Sequence, residues 1–210
     1  SCRIAELPVL PRRHTSRHTL RDEEEHGPDA LVAFALDLRG MPHERRPDLM
    51  LLIGDQVYAD DPGPATRKLI EQHRDPSEPP GYEVADFGEY CFLYREAWTE
   101  PSVRWLLSVV PTAMIFDDHD VHDDWNISHS WKREANRHEW WREHIIGALA
   151  SYWVYQHIGN LPPEGHDDDG LLRRVKEADD AWPILAEFAH AADRSTDGSR
   201  WSYCRDIGCT

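Results

Sequence analysis

The chain has 210 residues, 40% hydrophobic and 30% charged, enough for one sizeable domain with a very polar surface. Its formal charge of −16 argues against a general nucleic-acid binder, whose phosphate contacts need a positive face. A phosphate ester stays open as a partner, because bound cations invert the local field. No apolar run approaches the ~20 residues that would span a membrane. The four cysteines (Cys2, Cys91, Cys204, Cys209) show no CxxC spacing and no disulfide framework, which favours a reduced, cytoplasmic setting. The opening Ser1-Cys2-Arg3 is neither a start nor a signal peptide, so the chain reads as an excerpt with any export signal upstream.

Residues 1–21 are polar and rich in Arg, His and Pro, a loop by composition and a basic patch that is either solvated or laid over an anionic site. Residues 28–39 are predicted helical, with Leu31, Phe34, Ala35 and Leu38 on one face and Gly40 as the stop. Residues 48–53 form a short continuous apolar run that predicts a strand buried on both faces. Short helices are expected around 65–73, over 84–99 and over 102–108, with a loop at 75–81. Together 62–108 read as a helical insertion between two strands, the second at 111–116. The aromatic stripe Phe87, Tyr90, Tyr94 and Trp98 reads as core. After an acidic stretch, residues 140–158 predict a long amphipathic helix that carries His144 and His157, with Gly159-Asn160 as its stop. Residues 161–210 form a variable region: an acidic loop at 164–170, one or two helices around Pro183, a turn at 195–200 and an alternating strand at 201–207. Nine tryptophans imply a thick aromatic core or a site wall in the second half.

Chemistry concentrates where the two strands end. The second empties into Asp117-Asp118-His119-Asp120-Val121-His122-Asp123-Asp124-Trp125-Asn126. Carboxylates this close repel one another and must take up protons or bind a cation. The first strand ends in Gly54-Asp55-Gln56-Val57-Tyr58-Ala59-Asp60-Asp61. Two strands that each deliver acids at their C-terminal ends point to one shared metal site. Asp55 is a carboxylate able to bridge two cations, and Gly54 allows the tight turn that exposes it. Tyr58 is either an ordinary hydrogen-bonded tyrosine or a phenolate ligand; the latter needs a strongly acidic ion, since a free Tyr titrates near ~10. Asp118 is the metal-ligand candidate. His119 suits a general acid charged by neighbouring carboxylates, with Asp120 to orient or charge it. A solvated acidic loop, or a calcium site serving stability alone, is the alternative, although the spacing fails the EF-hand pattern.

These motifs resemble the alkaline phosphatase D-like (PhoD-like) metallophosphatases, within the calcineurin-like metallophosphoesterase superfamily. The resemblance rests on Ser1-Cys2-Arg3, on Gly54 to Asp60, and on Asp117 to Asp120 followed by Trp125-Asn126, and it covers roughly residues 1–160. It implies a four-layer α/β/β/α domain, present here in part. It implies that Asp55 is the central metal ligand, that Tyr58 and Cys2 bind a ferric ion, and that Asp118 binds metal and phosphate. His119 would protonate the leaving group, and Asn126 would lie near calcium or substrate. Iron and calcium are the implied cofactors, with other divalent metals possible. The superfamily's later Gly-Asp-x-His-type motif does not follow Asn126, so the chain is expected to hold half of the metal site and to lack full activity. The reading is therefore a metal-dependent phosphomonoesterase or phosphodiesterase. Its rivals are a non-catalytic calcium-binding module and an enzyme relic that kept only the fold.

Overall fold

The computed structural model describes residues 29–162, 170–195 and 201–204. Cys2, the basic opening at 1–21, nearly all of the acidic loop at 164–170 and most of the turn at 195–200 lie outside those residues. Helix α1 (Ala30–Gly40) opens on Asp29, whose carboxylate accepts from the backbone amides of Leu31 at 2.9 Å and Val32 at 3.2 Å. Strand β1 (Met50–Ile53) comes after it. Three helices come next: α2 (Pro64–His73), α3 (Phe87–Trp98) and α4 (Pro101–Val109). Asp86 caps α3 through the amide of Glu89, and Glu100 caps α4 through that of Val103. Strand β2 (Thr112–Ile115) then pairs with β1 in parallel, Met50 opposite Thr112 and Ile53 opposite Ile115. A parallel partner cannot be reached by a tight turn, so α2–α4 supply the crossover.

Helices α5 (His129–Ala135) and α6 (Trp141–Tyr152) come after a 3₁₀ turn at Asp118–Asp120. Helix α6 widens into a π-helical turn, Trp153–His157, and closes with the turn Ile158–Asn160. Helices α7 (Gly170–Glu177) and α8 (Trp182–Arg194) complete the described chain. The fold is thus α/β: helices around a two-stranded parallel sheet.

The main core is the packing of α6 against α3 and α8. Tyr90, Tyr94, Leu149 and Trp153 are fully buried there. Each such side chain contributes roughly 1.5–3 kcal/mol of burial. The helices approach so closely that a Cβ on Gly147 would lie 2.8 Å from the Phe87 amide nitrogen. A smaller cluster, Ala35, Leu38, Leu106 and Val110, joins α1 to α4. The tryptophans mostly serve the main core: Trp141 and Trp153 lie inside it, and Trp98, Trp125, Trp131, Trp140, Trp182 and Trp201 pack against it. No helix of the described residues is long and apolar enough to cross a membrane.

Two expectations are corrected. Strand β1 is not buried on both faces: Leu52 is 6% exposed, but Leu51 is 62% and Ile53 68% exposed. Two strands make a narrow sheet, and among the described residues no layer covers the face that carries Leu51, Ile53 and Ile115. Of the strand expected at 201–207, residues 201–204 form none and 205–207 lie outside the described residues. Trp201 instead packs among Phe116, Tyr152, His157 and Phe188. The open edge of β2 is taken by a side chain: Asn160 Oδ1 accepts from the Met114 amide at 2.7 Å, and its Nδ2 donates to the Met114 carbonyl at 2.6 Å. Met50 bonds to Pro111 on the inner edge, so in this register Met114 faces outward, where Asn160 substitutes for a third strand.

Both helix-body histidines are buried. His144 donates through Nδ1 to the Val84 carbonyl and is enclosed by Tyr90, Trp140 and Trp141. Burial outweighs that hydrogen bond and pushes His144 from its ordinary 6.5 down to about 4. Between those values the unfolded chain takes up a proton that the folded chain refuses. Stability linked to His144 is therefore intact above pH 6.5 and is lost as pH falls toward 4. In urea unfolding, a drop from pH 7 to 4 should cost the unaltered chain roughly 3 kcal/mol more than His144→Asn. Equal losses in both chains would show that His144 does not govern this acid limb.

Candidate metal and catalytic site

The parallel pairing brings the C-terminal ends of β1 and β2 side by side. Gly54, at φ 112°, and Asp55, at φ 53°, turn the chain sharply off β1. Only glycine fits at 54. A Cβ there would come within 2.5 Å of the Asp117 Cβ, and an L side chain rarely adopts that φ. The close approach of Gly54 to Asp117 is what puts the two acidic loops in contact. The Ala59 amide donates to the His119 carbonyl at 2.9 Å, a second tie between them.

The acids then fall into two groups that share a member. Asp55, Asp117 and Asp118 each offer a carboxylate oxygen, all within 4.8 Å of one another. Asp118, His119 and Asp123 do the same with two carboxylates and an imidazole nitrogen. Hard oxygen donors with one imidazole suit divalent cations and ferric iron, so the donor chemistry fits a metal. The Asp118 carboxylate is held by the Asp124 amide at 2.9 Å, and Asp124 itself has a left-handed φ of 59°. Asp55 and Asp118, both singled out by sequence, come together. Asp117 and Asp123 join them, although simple strand alternation would have sent Asp117 to the face opposite Asp118. The 3₁₀ turn that begins at Asp118 breaks the alternation.

His119 sits between the loops. Its Nδ1 lies 2.8 Å from Asp60 Oδ2, and its Nε2 lies 3.7 Å from Asp123 Oδ1. The Asp123 amide also donates to Asp60 Oδ2, at 3.0 Å. Burial disfavours the charged ring. The hydrogen bond and charge of Asp60, with the charges of Asp118 and Asp55, outweigh burial and hold the imidazolium above its usual range. Tyr58 lies flat on the same ring, centroids 4.4 Å apart at 26°.

The carboxylate hydrogen-bonded to His119 is therefore that of Asp60, where the sequence suggests Asp120. Asp120 is 3% exposed and bonds elsewhere. Its Oδ2 accepts from the amides of Gln56 at 3.3 Å and Asp117 at 3.1 Å, and its Oδ1 accepts from Gln156 Nε2 at 2.9 Å. Burial raises its carboxyl to about 7 against the lowering effect of those donors, and the charge of Asp55 adds to the rise. Asn126 stands exposed at the outer end of the second loop, at φ 63°. Spacing alone does not separate Asp60 from Asp61 as a partner for His119. The difference is that Asp61 faces outward to Arg67, while Asp60 turns in.

A family model described as PhoD-like phosphatase matches residues 37–182, more than half of the chain and both acidic loops. No curated protein and no solved structure matches.

Replacing Asp60 with Asn removes the main charge partner of His119. A nuclear magnetic resonance titration of the metal-free chain should show the His119 pKa falling in Asp60→Asn. An unchanged or higher value would contradict the pairing.

Proposed function

The chain belongs to the PhoD-like phosphatase family, and from that premise we propose that it is the metal-binding part of a phosphoric ester hydrolase acting on small phosphate esters. The observation that carries this reading is the juxtaposition of two carboxylate groups, joined through Asp118, with a carboxylate-paired histidine. A calcium module needs the acids but has no use for a charged, oriented imidazole between them.

Asp55, Asp117 and Asp118 would hold one cation, and Asp118 with Asp123 would hold a second beside His119. Tyr58 and Cys2 are the donors suited to ferric iron, and calcium would take the carboxylates; other divalent ions fit the same oxygens. Bound metal supplies Lewis acidity toward phosphoryl oxygens and a hydroxide at neutral pH. The chain's own residues do the rest. Asp60 keeps a proton on Nδ1 of His119. His119 Nε2, free of a close hydrogen bond to Asp123, donates its proton to the departing ester oxygen. Asn126 and Asp118 orient the substrate's phosphate. Asp120 acts on the reaction only by holding the loops. The two-stranded sheet is read as one piece of a four-layer α/β/β/α domain, whose further layers would cover Leu51 and Ile53.

In the protein carrying this chain, loaded with iron and calcium, His119→Ala should slow hydrolysis of bis-p-nitrophenyl phosphate by roughly 10²- to 10³-fold while metal content stays unchanged. Asp118→Asn should lower metal content itself. An unchanged rate in His119→Ala would overturn the catalytic assignment. Stabilisation by calcium with no metal-dependent hydrolysis would favour the binding module.

A further inference from the structure

Helix α6 does not run straight into its last turn. At Trp153–His157 it widens into a π turn, which fits one more residue per turn than an α-helix. Each added residue rotates the remainder of the helix by about 100°. Within this turn Gln156 is 1% exposed, and its Nε2 donates to Tyr94 Oη and to Asp120 Oδ1, both at 2.9 Å. Four residues on, and so on the same helix face, Asn160 grips Met114 of β2. The widened segment and the turn that closes it therefore hold the loop after β2 by Asp120 and β2 by its edge.

The Asp120 side chain bonds to the backbone of both acidic loops. One of its oxygens takes the Gln56 amide, adjacent to Asp55, and the Asp117 amide, adjacent to Asp118. Gln56 closes the frame by donating from its own side chain to the Ile115 carbonyl at 2.8 Å. A shift of the Asp120 carboxylate is passed to both loops at once, because both amides are tied to the same oxygen. Tyr94, fixed in the main core and stacked on Tyr155 at 4.5 Å, accepts from the same Gln156 Nε2 and so ties that amide to the core.

We propose that Gln156, presented by the π turn, is a positioning residue for the metal-binding acids, acting through the buried carboxylate of Asp120. This rests on the reading of Asp55, Asp117 and Asp118 as a metal site. The chain of contacts runs from the core (Tyr94) through Gln156 and Asp120 to the amides beside Asp55 and Asp118. Partners that orient ligand side chains in this way set metal affinity by about 10- to 100-fold. Without the Gln156 bond, Asp120 keeps its burial but loses the donor that aims it, and the separation of the two loops becomes loose. A π turn at this position sets the rotation at which Gln156 and Asn160 meet β2 and its loop together.

The test uses the whole chain in three variants: Gln156→Leu, Gln156→Glu, and Gln156→Glu with Asp120→Asn. The last exchanges donor and acceptor and so restores the bond. Hydrogen exchange is read in the metal-free chain at the amides of Gln56 and Asp117, with Leu93 in α3 as the core reference. Calorimetric titration with Mn²⁺ then reads affinity. Expected are about tenfold faster exchange at Gln56 and Asp117 but not at Leu93, and about tenfold weaker Mn²⁺ binding, in Gln156→Leu and Gln156→Glu. The double variant should recover both. The Glu pair keeps side-chain volume and carries the comparison if the Leu variant does not fold. Equal acceleration at all three amides would make Gln156 a structural residue only, and unaltered exchange at Gln56 and Asp117 would refute the tether. No Mn²⁺ uptake by the unaltered chain would overturn the metal reading and the positioning role with it, while the exchange rates report the tether separately.

Discussion

Parallel pairing of two four-residue strands is the constraint on which the site depends. Parallel strands point their C-terminal ends the same way, so the loop leaving β1 lies beside the loop leaving β2. Here both loops begin with aspartates. Placing Asp55, Asp117 and Asp118 within one small volume concentrates negative charge. Gly54 permits it sterically, since no other residue leaves room for Asp117. The strands alone would not hold such a site. The ties are hydrogen bonds that cross between the loops, from Ala59 to His119 and from Gln56 to Asp120, whose carboxylate also takes the Asp117 amide within its own loop.

The carboxylates are not equivalent, and their surroundings separate their roles. Asp120 is buried and surrounded by donors, and its carboxyl is pushed to about 7, a poor position for a ligand and a good one for a bracket. Asp60 keeps one oxygen on His119 and on the Asp123 amide. Asp118 faces both donor groups. Asp61 turns away to Arg67 at the surface. A row of aspartates in sequence thus becomes a buried bracket, a partner of His119, a member of both candidate metal groups and a solvated ion pair. The helices set these differences from behind: Gln156 reaches Asp120 from the π turn, and Asn160 fixes the strand that feeds the second loop.

Much of this was legible in the sequence, because it depended on local rules. Periodicity and stop residues located α1–α4 and α6 to within a few residues. The two apolar runs ending in acids located the strands and the two acidic loops that meet at their ends. Glycine at 54 before an acid foretold a turn. The parts that sequence reasoning missed depend on which groups meet across the chain. Asp60 and Asp120 look alike on paper, and only the inward turn of one and the burial of the other assign His119 its partner. The exposure of Leu51 and Ile53 is set by whether a layer covers that face of the sheet, which an apolar run does not encode. The π turn has no sequence signature. Its place in the structure is visible only from the groups that Gln156 and Asn160 touch. Cys2, which the family resemblance adds to the ligand set, lies outside the described residues.

If the tips of β1 and β2 form one metal site through Asp118, anomalous diffraction from crystals soaked in Mn²⁺ will reveal it most directly. The expected result is a peak between Asp55 and Asp118, about 2–2.5 Å from their carboxylate oxygens. Mn²⁺ bound elsewhere on the chain, with no peak at Asp118, would contradict a shared site.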